Sequence, residues 1–175
     1  MRALRLGILG ASGAVGQEML RLLDEYRIPV SALRLLSGGK SAGSLIPFRG
    51  EQITVNAAES GSFEGLDYVL GAVEADISRH YAPFIQDSGA CYIDNSSAFR
   101  LEPQVPLVVP EINPEDAYRH NGIISNPNCS TIITLVAISA INKLSPIRTI
   151  VASTYQAVSG AGKQGIRELE EQMEA

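Results

Sequence analysis

The chain has 175 residues, 45% hydrophobic and 19% charged, with a formal net charge of −5 and two cysteines. That balance describes a globular chain with an ample core and excludes a disordered chain, a disulfide framework and a basic nucleic-acid-binding surface. The opening MRALRLGILGASG reads as lacking the apolar segment of a signal peptide, and no apolar run approaches the roughly 18 residues of a membrane span. The expected setting is therefore soluble, reducing and cytoplasmic, with no membrane or nucleic-acid partner.

Leu4–Leu9 reads as a short buried strand, followed by a glycine-rich turn and a helix over Gln17–Tyr26. Pro29 closes that helix, and Ser31–Leu36 predicts a second strand. Residues 37–50 form a Gly/Ser loop leading into an exposed hairpin, with Gln52–Val55 as one arm. Asp67–Leu70 and Ala90–Asp94 read as buried strands on either side of a helix over Asp76–Ser88. Prolines at 103, 106 and 110 make the chain irregular before one more short strand, Gly122–Ser125. Ser130–Leu144 predicts a strongly apolar helix, Ile147–Gln156 a strand, and Gly165–Ala175 an amphipathic, mostly acidic helix. Strands alternating with helices predict an α/β fold, a doubly wound parallel sheet. The ending EQMEA falls inside a helical pattern with no C-cap glycine, and so reads as the front part of a longer protein.

Two stretches suggest a nucleotide. Gly10-Ala11-Ser12-Gly13-Ala14-Val15-Gly16 follows the first strand and opens the first helix. Glycines there let the backbone approach a diphosphate, whose charge meets the N–H groups of the helix start. A purely structural turn is the bland alternative. The loop after the second strand, Ser37-Gly-Gly-Lys40-Ser41-Ala42-Gly43, carries hydroxyls and a cation. It lacks the acid that would bind the ribose 2′-hydroxyl of NAD, so it favours the 2′-phosphate of NADP.

Three further stretches suggest covalent chemistry. Cys129, in SNPNCSTI, stands immediately before the apolar helix, where the helix field favours a thiolate and nearby N–H groups suit an oxyanion. It is either a nucleophile or a small core residue at a helix start; Cys91, within a strand, reads as a packed thiol. Arg100 closes Asp94-Asn-Ser-Ser-Ala-Phe-Arg100 beyond a strand's carboxyl end, where an arginine can hold phosphate or carboxylate or simply lie in solvent. Gln156, in Tyr155-Gln156-Ala-Val-Ser159-Gly160, can orient a carbonyl or cap a turn. His80 and His120 read as surface residues.

These stretches together resemble aspartate-semialdehyde dehydrogenase along the whole chain. The likeness rests on GASGAVG (10–16), KSAG (40–43), IDNSSAFR (93–100), VPLVVPEIN (105–113), NPNCSTI (126–132) and TYQAVSGAG (154–162). The cysteine lacks the Gly-Cys-Tyr-Pro surroundings usual in the related N-acetyl-glutamyl-phosphate reductase. The resemblance implies a Rossmann-like NADP-binding domain over 1–128 and the beginning of a second, α+β catalytic and dimerisation domain over 129–175. It implies NADPH-dependent reduction of aspartyl phosphate to aspartate semialdehyde with release of phosphate, on the route to lysine, methionine, threonine and diaminopimelate, in a homodimer or larger assembly.

Carried over by position, Cys129 is the nucleophile and Gln156 places the substrate. Arg100 and Asn128 contact phosphate and substrate. The cofactor contacts are Gly10, Ser12, Gly13, Ala14, Val15, Gly16, Lys40, Ser41, Ala42, Ser159 and Gly160; no metal is implied. The chain departs from the family at Gly38-Gly39-Lys40-Ser41, where Ser-Ala-Arg-Ser is common, and at Gly71-Ala72-Val73-Glu74. It departs again at Ile133, expected on the buried face of its helix where the family has glutamine. The family's acid/base histidine and its arginine for the substrate carboxylate belong to a later part of the second domain, so the 175 residues alone are expected to bind nucleotide and turn over little.

Overall fold

The computed structural model describes residues 2–158 and 162–174. The chain divides into two compact units, Met1–Asn128 and Cys129–Ala175, each described by itself.

The first unit is built on seven strands: β1 (Leu4–Leu9), β2 (Val30–Ser37), β3 (Leu45–Phe48), β4 (Glu51–Ala57), β5 (Tyr68–Gly71), β6 (Cys91–Asp94) and β7 (Ile123–Ser125). Helices α1 (Ala14–Glu25) and α2 (Ala75–Asp87) connect β1 to β2 and β5 to β6. The sheet order is β3-β4-β2-β1-β5-β6-β7, parallel throughout except for β3, which runs antiparallel at the edge beside β4. Parallel strands buried on both faces read as apolar runs, as residues 6–9 of β1 do, while β2 is buried only over residues 35–37. Leu6, Ile8 and Leu35 pack with Leu20 and Leu23 of α1. Their chain neighbours Leu9 and Leu36 pack with Val69 and with Ala82 and Ile85 of α2. Successive strand residues thus supply opposite faces, and the sheet is doubly wound as expected.

Register brings Asn56, Leu36, Leu9, Gly71, Asp94 and Ser125 into one row across the carboxyl edge. The loops that follow them all leave by that edge. The chain runs outward from β1 to β2 on one side and continues at β5 on the other, so the topological switch point lies between β1 and β5.

In this unit one expectation is borne out and extended, and one is corrected. The arm Gln52–Val55 belongs to an antiparallel hairpin, but its strand also pairs parallel with β2 through Leu35↔Val55 and Ser37↔Ala57, so it is a full member of the main sheet. Helix α1 begins at Ala14 rather than Gln17. Gly16 is a poor helix former, and helical periodicity therefore passes over a first turn that the structure holds by packing.

The second unit contains α3 (Cys129–Leu144) and α4 (Gly162–Met173). Ser145 N–H closes α3 on Ile141 O at 2.8 Å, and Pro146 stops its continuation. The strand expected over Ile147–Gln156 does not form: the described residues of this unit hold no second strand to take its N–H and C=O groups, and a lone strand has no ladder. Ile133, expected to be buried, is 70% exposed, and α3 has no buried residue. Helix α4 starts three residues earlier than expected and ends at Met173, its acidic face carrying an Arg167–Glu171 pair at 2.6 Å.

Candidate active site

The first chemistry-bearing turn sits at the switch point. Gly10 adopts φ +90°, and its N–H, with that of Ala11, donates to Leu36 O at 2.8 and 3.1 Å, tying the turn to the end of β2. A Cβ on Gly10 would lie 2.3 Å from Ala72 O, so only glycine lets this turn meet the loop after β5. A Cβ on Gly16 would lie 2.4 Å from Gly10 O; glycine there lets α1 close on the turn. Gly13 is the N-cap of α1 and offers no side chain, the first turn of α1 holds no acid, and Gln17 N–H is paired with Gly13 O at 3.0 Å. The N–H groups of Ala14, Val15 and Gly16 precede the first intrahelical bond and are the donors such a helix start offers an anion. Ser12 is half-buried beside them. Backbone lies open at this turn because no side chain can be added at Gly10 or Gly16.

The loop after β2 leaves by the same edge. Gly39–Ser41 form one tight helical turn, with Ser41 N–H on Gly38 O at 3.1 Å and Ser44 Oγ donating to Ser41 O at 2.7 Å. Lys40 and Ala42 are exposed, and Lys40 makes no ion pair among the described residues. Glu74, the N-cap of α2, is exposed. Ser159 and Gly160 lie outside the described residues.

The loop after β6 is tied to the loop after β7. Arg100 donates from Nε to Asn126 O at 3.0 Å and from Nη2 to Asn95 O at 2.8 Å. Asn126 Nδ2 donates to Asn95 Oδ1, and Asn126 N–H to Asp94 O at 2.8 Å. Half-buried Asn128 follows two residues later. Neither asparagine of this clamp was foreseen from the sequence. The only signal was an asparagine just beyond each of two strand ends, a place where side-chain amides often bond backbone.

In the second unit Cys129 is exposed and is the first residue of α3. Its Sγ lies 4.0 Å from Gln156 Oε1, so the structure brings these two candidates together.

The remaining titratable candidates lie elsewhere. Cys91 is packed as expected, and burial pushes its thiol up to about 11. Its Sγ is 3.7 Å from Nδ1 of His120, which accepts the Gly122 N–H at 2.9 Å. His120 is thus half-buried rather than a surface residue, because its ring closes the turn into β7. A cavity of about 490 Å³ there, lined by Arg5, Asp67, Cys91 and His120 among others, faces the amino ends of β1, β5 and β6, opposite the loops described above. His80 is exposed, with its ring against Tyr81. No group of three metal-ligating side chains occurs among the described residues.

A glycine turn with free helix-start amides at the switch point of a doubly wound sheet defines a dinucleotide-binding protein. Comparison with known proteins narrows the class. Residues 5–120 match the family model of the semialdehyde dehydrogenase NAD binding domain, and residues 138–175 match that of the semialdehyde dehydrogenase dimerisation domain. The chain is 48% identical over 169 residues to the aspartate-semialdehyde dehydrogenase of Synechocystis, covering 97% of this chain and 50% of that protein. It is 45% identical over 174 residues to that of Bacillus subtilis, covering 99% and 50%. The crystal structure of aspartate semialdehyde dehydrogenase II from Vibrio cholerae superposes with a TM-score of 0.87 at 40% identity, over 97% of this chain and 51% of that one. The same Vibrio enzyme complexed with ASA gives 0.88 at 39% identity, over 98% and 52%. The chain belongs to the semialdehyde dehydrogenase family, and it spans about half the length of the curated relatives it matches.

Proposed function

We propose that this chain supplies the nucleotide-binding and nucleophile-bearing parts of an NADP-dependent aspartate-semialdehyde dehydrogenase, with residues 1–128 as the cofactor domain and 129–175 as the start of the catalytic and dimerisation domain. The observation that carries the reading is the exposed Cys129 at the start of a 16-residue helix, with the Gln156 amide oxygen 4.0 Å from its sulfur. The thiolate of Cys129 attacks the carbonyl carbon of L-aspartyl-4-phosphate, and the oxyanion collapses to expel phosphate and leave an acyl-thioester. The Gln156 amide places the acyl group, and Arg100 with Asn128 holds the phosphate. Bound NADPH supplies the hydride that converts the thioester to the aldehyde and frees the thiolate. Gly10, Ser12 and Gly13–Gly16 would hold the diphosphate of the cofactor, Lys40, Ser41 and Ala42 would meet its 2′-phosphate, and Ser159 and Gly160 are further cofactor contacts.

The likeness to proteins named aspartate-semialdehyde dehydrogenase, one of them complexed with ASA, supports this substrate. The matched dimerisation domain supports a homodimer or larger assembly. Among the described residues no helix is long and apolar enough to cross a membrane, in keeping with a cytoplasmic enzyme of lysine, methionine, threonine and diaminopimelate synthesis. The proton donor and the partner of the substrate carboxylate are assigned to residues beyond these 175.

The test is the reverse reaction in the protein that carries this chain. Aspartate semialdehyde, phosphate and NADP should give NADPH and aspartyl phosphate, with NAD much poorer and Cys129→Ala inactive. Reduction of NADP that needs neither phosphate nor Cys129 would overturn the assignment.

A further inference from the structure

The carboxylate of Asp94 takes no part in the chemistry above, yet it is fully buried at the end of β6. It accepts hydrogen bonds from Ser78 Oγ at 2.8 Å, Ser96 Oγ at 2.7 Å and Ser96 N–H at 3.1 Å. Ser78 Oγ lies 2.9 Å from the Tyr92 hydroxyl, and both residues are buried. No cation pairs with Asp94 among the described residues. Burying an acid without a cation is costly, and hydroxyls and one amide are weak compensation for a core position that an apolar residue would fill without that cost.

What the carboxylate organises is the loop that carries Arg100. Ser96, held by Asp94, accepts the Ala98 N–H on its Oγ at 3.0 Å, which turns the chain back on itself. The turn returns Arg100 to the carbonyl of Asn95, while its Nε reaches the carbonyl of Asn126. A guanidinium held at two of its nitrogens is fixed in orientation.

We propose that Asp94 is a positioning residue for phosphate recognition: through Ser96 it fixes the 94–100 turn so that the clamped guanidinium of Arg100 meets the phosphoryl oxygens with its geometry already set. The inference rests on the phosphate role proposed for Arg100. Preset geometry lowers the ordering cost of binding.

The experiment compares Asp94→Asn and Ser96→Ala with the wild type in the protein that carries this chain. Each should raise the KM for phosphate about tenfold, the size of one lost hydrogen bond to a charged group. The KM for NADP should stay within about twofold and kcat should change little. In an Arg100→Ala background, Ser96→Ala should add nothing further, because the two act on one interaction. Ser96→Ala keeps the question answerable if Asp94→Asn fails to fold. A uniform fall in every kinetic constant, or full additivity with Arg100→Ala, would overturn the proposal. If the wild type shows no phosphate-dependent reaction, the functional assignment fails on its own. Calorimetric titration with inorganic phosphate then decides the present point: about tenfold weaker binding by Ser96→Ala supports it, and equal binding or none by the wild type overturns it.

Discussion

Cys129 Sγ and Gln156 Oε1 stand 4.0 Å apart although 27 residues separate them in the chain. The same amide lies 3.5 Å from Thr154 Oγ1 through its Nε2. Here the amide oxygen faces the thiol S–H, and because the amide also carries an NH2 group it can turn a donor toward a thiolate or an oxyanion. A carboxylate of the same shape cannot.

Gln156→Glu is therefore expected to lower kcat/KM by about 10²–10³, more than Gln156→Ala, because it sets a negative charge against the thiolate and the oxyanion. Steady-state kinetics of both variants in the protein that carries this chain decide it. A Glu variant as active as wild type would remove Gln156 from the site.

The glycine turn makes a steric prediction. Alanine at Gly10 or Gly16 would bring a Cβ within 2.3 or 2.4 Å of backbone carbonyl oxygens, so each should cost about 1–3 kcal/mol of stability and weaken NADP binding. Gly13→Ala meets nothing nearer than 3.4 Å and should fold like wild type. Urea unfolding and fluorescence titration with NADPH separate the three.

The two thiols should be chemically distinct. Cys129 is exposed, whereas Cys91 is buried with its thiol pushed up to about 11 by desolvation. Iodoacetamide near neutral pH should label Cys129 first and leave Cys91 untouched until the protein unfolds, as peptide mass spectrometry would show. Labelling of Cys91 in the folded protein would contradict its packing.

Acid stability should depend on Asp67. The side chain of Arg5 donates to its carboxylate, and the backbone N–H of Arg5 adds a bond at 2.8 Å, holding its pKa down to about 2. A carboxyl depressed in the folded state stabilises above its unfolded pKa of about 3.9 and loses that contribution as pH falls toward the folded value. Between about pH 4 and 2 the wild type should therefore lose stability more steeply than Asp67→Asn, read as urea midpoints. Parallel profiles would show that the Arg5 pairing contributes nothing.

Much of this architecture was legible because a parallel sheet buried on both faces writes itself as apolar runs. LRLGIL, YVLG and CYID lie within one residue of where those runs place them. The first turn of α1 was hidden because Gly16 is chosen for its closeness to Gly10 and not for helicity. Pairing was hidden too. Nothing local tells Gln52–Val55 that its strand also joins β2, or Ile147–Gln156 that the described residues of its own unit hold no second strand. Of the candidate residues, Gly10, Gly16, Cys129 and Gln156 announced themselves through special residue types. The Asn95–Asn126–Arg100 clamp did not, because it joins loops some 30 residues apart by bonds that are mostly to backbone.

The crowding around Gly10 and Gly16 also divides the labour of recognition. At Gly10 and Gly16, where a methyl group cannot be added, no side chain can be recruited, and those two positions can only bring backbone to a charge that every dinucleotide carries. Choice between dinucleotides must then be made where there is room to vary. The 37–43 loop offers it: nothing lies within 4 Å of a Cβ built on Gly38 or Gly39, and Lys40 stands in solvent beside them. On the reading proposed for this loop, substitutions at those two glycines change cofactor preference without moving a core atom, while Gly10 and Gly16 stay fixed by their own lack of space.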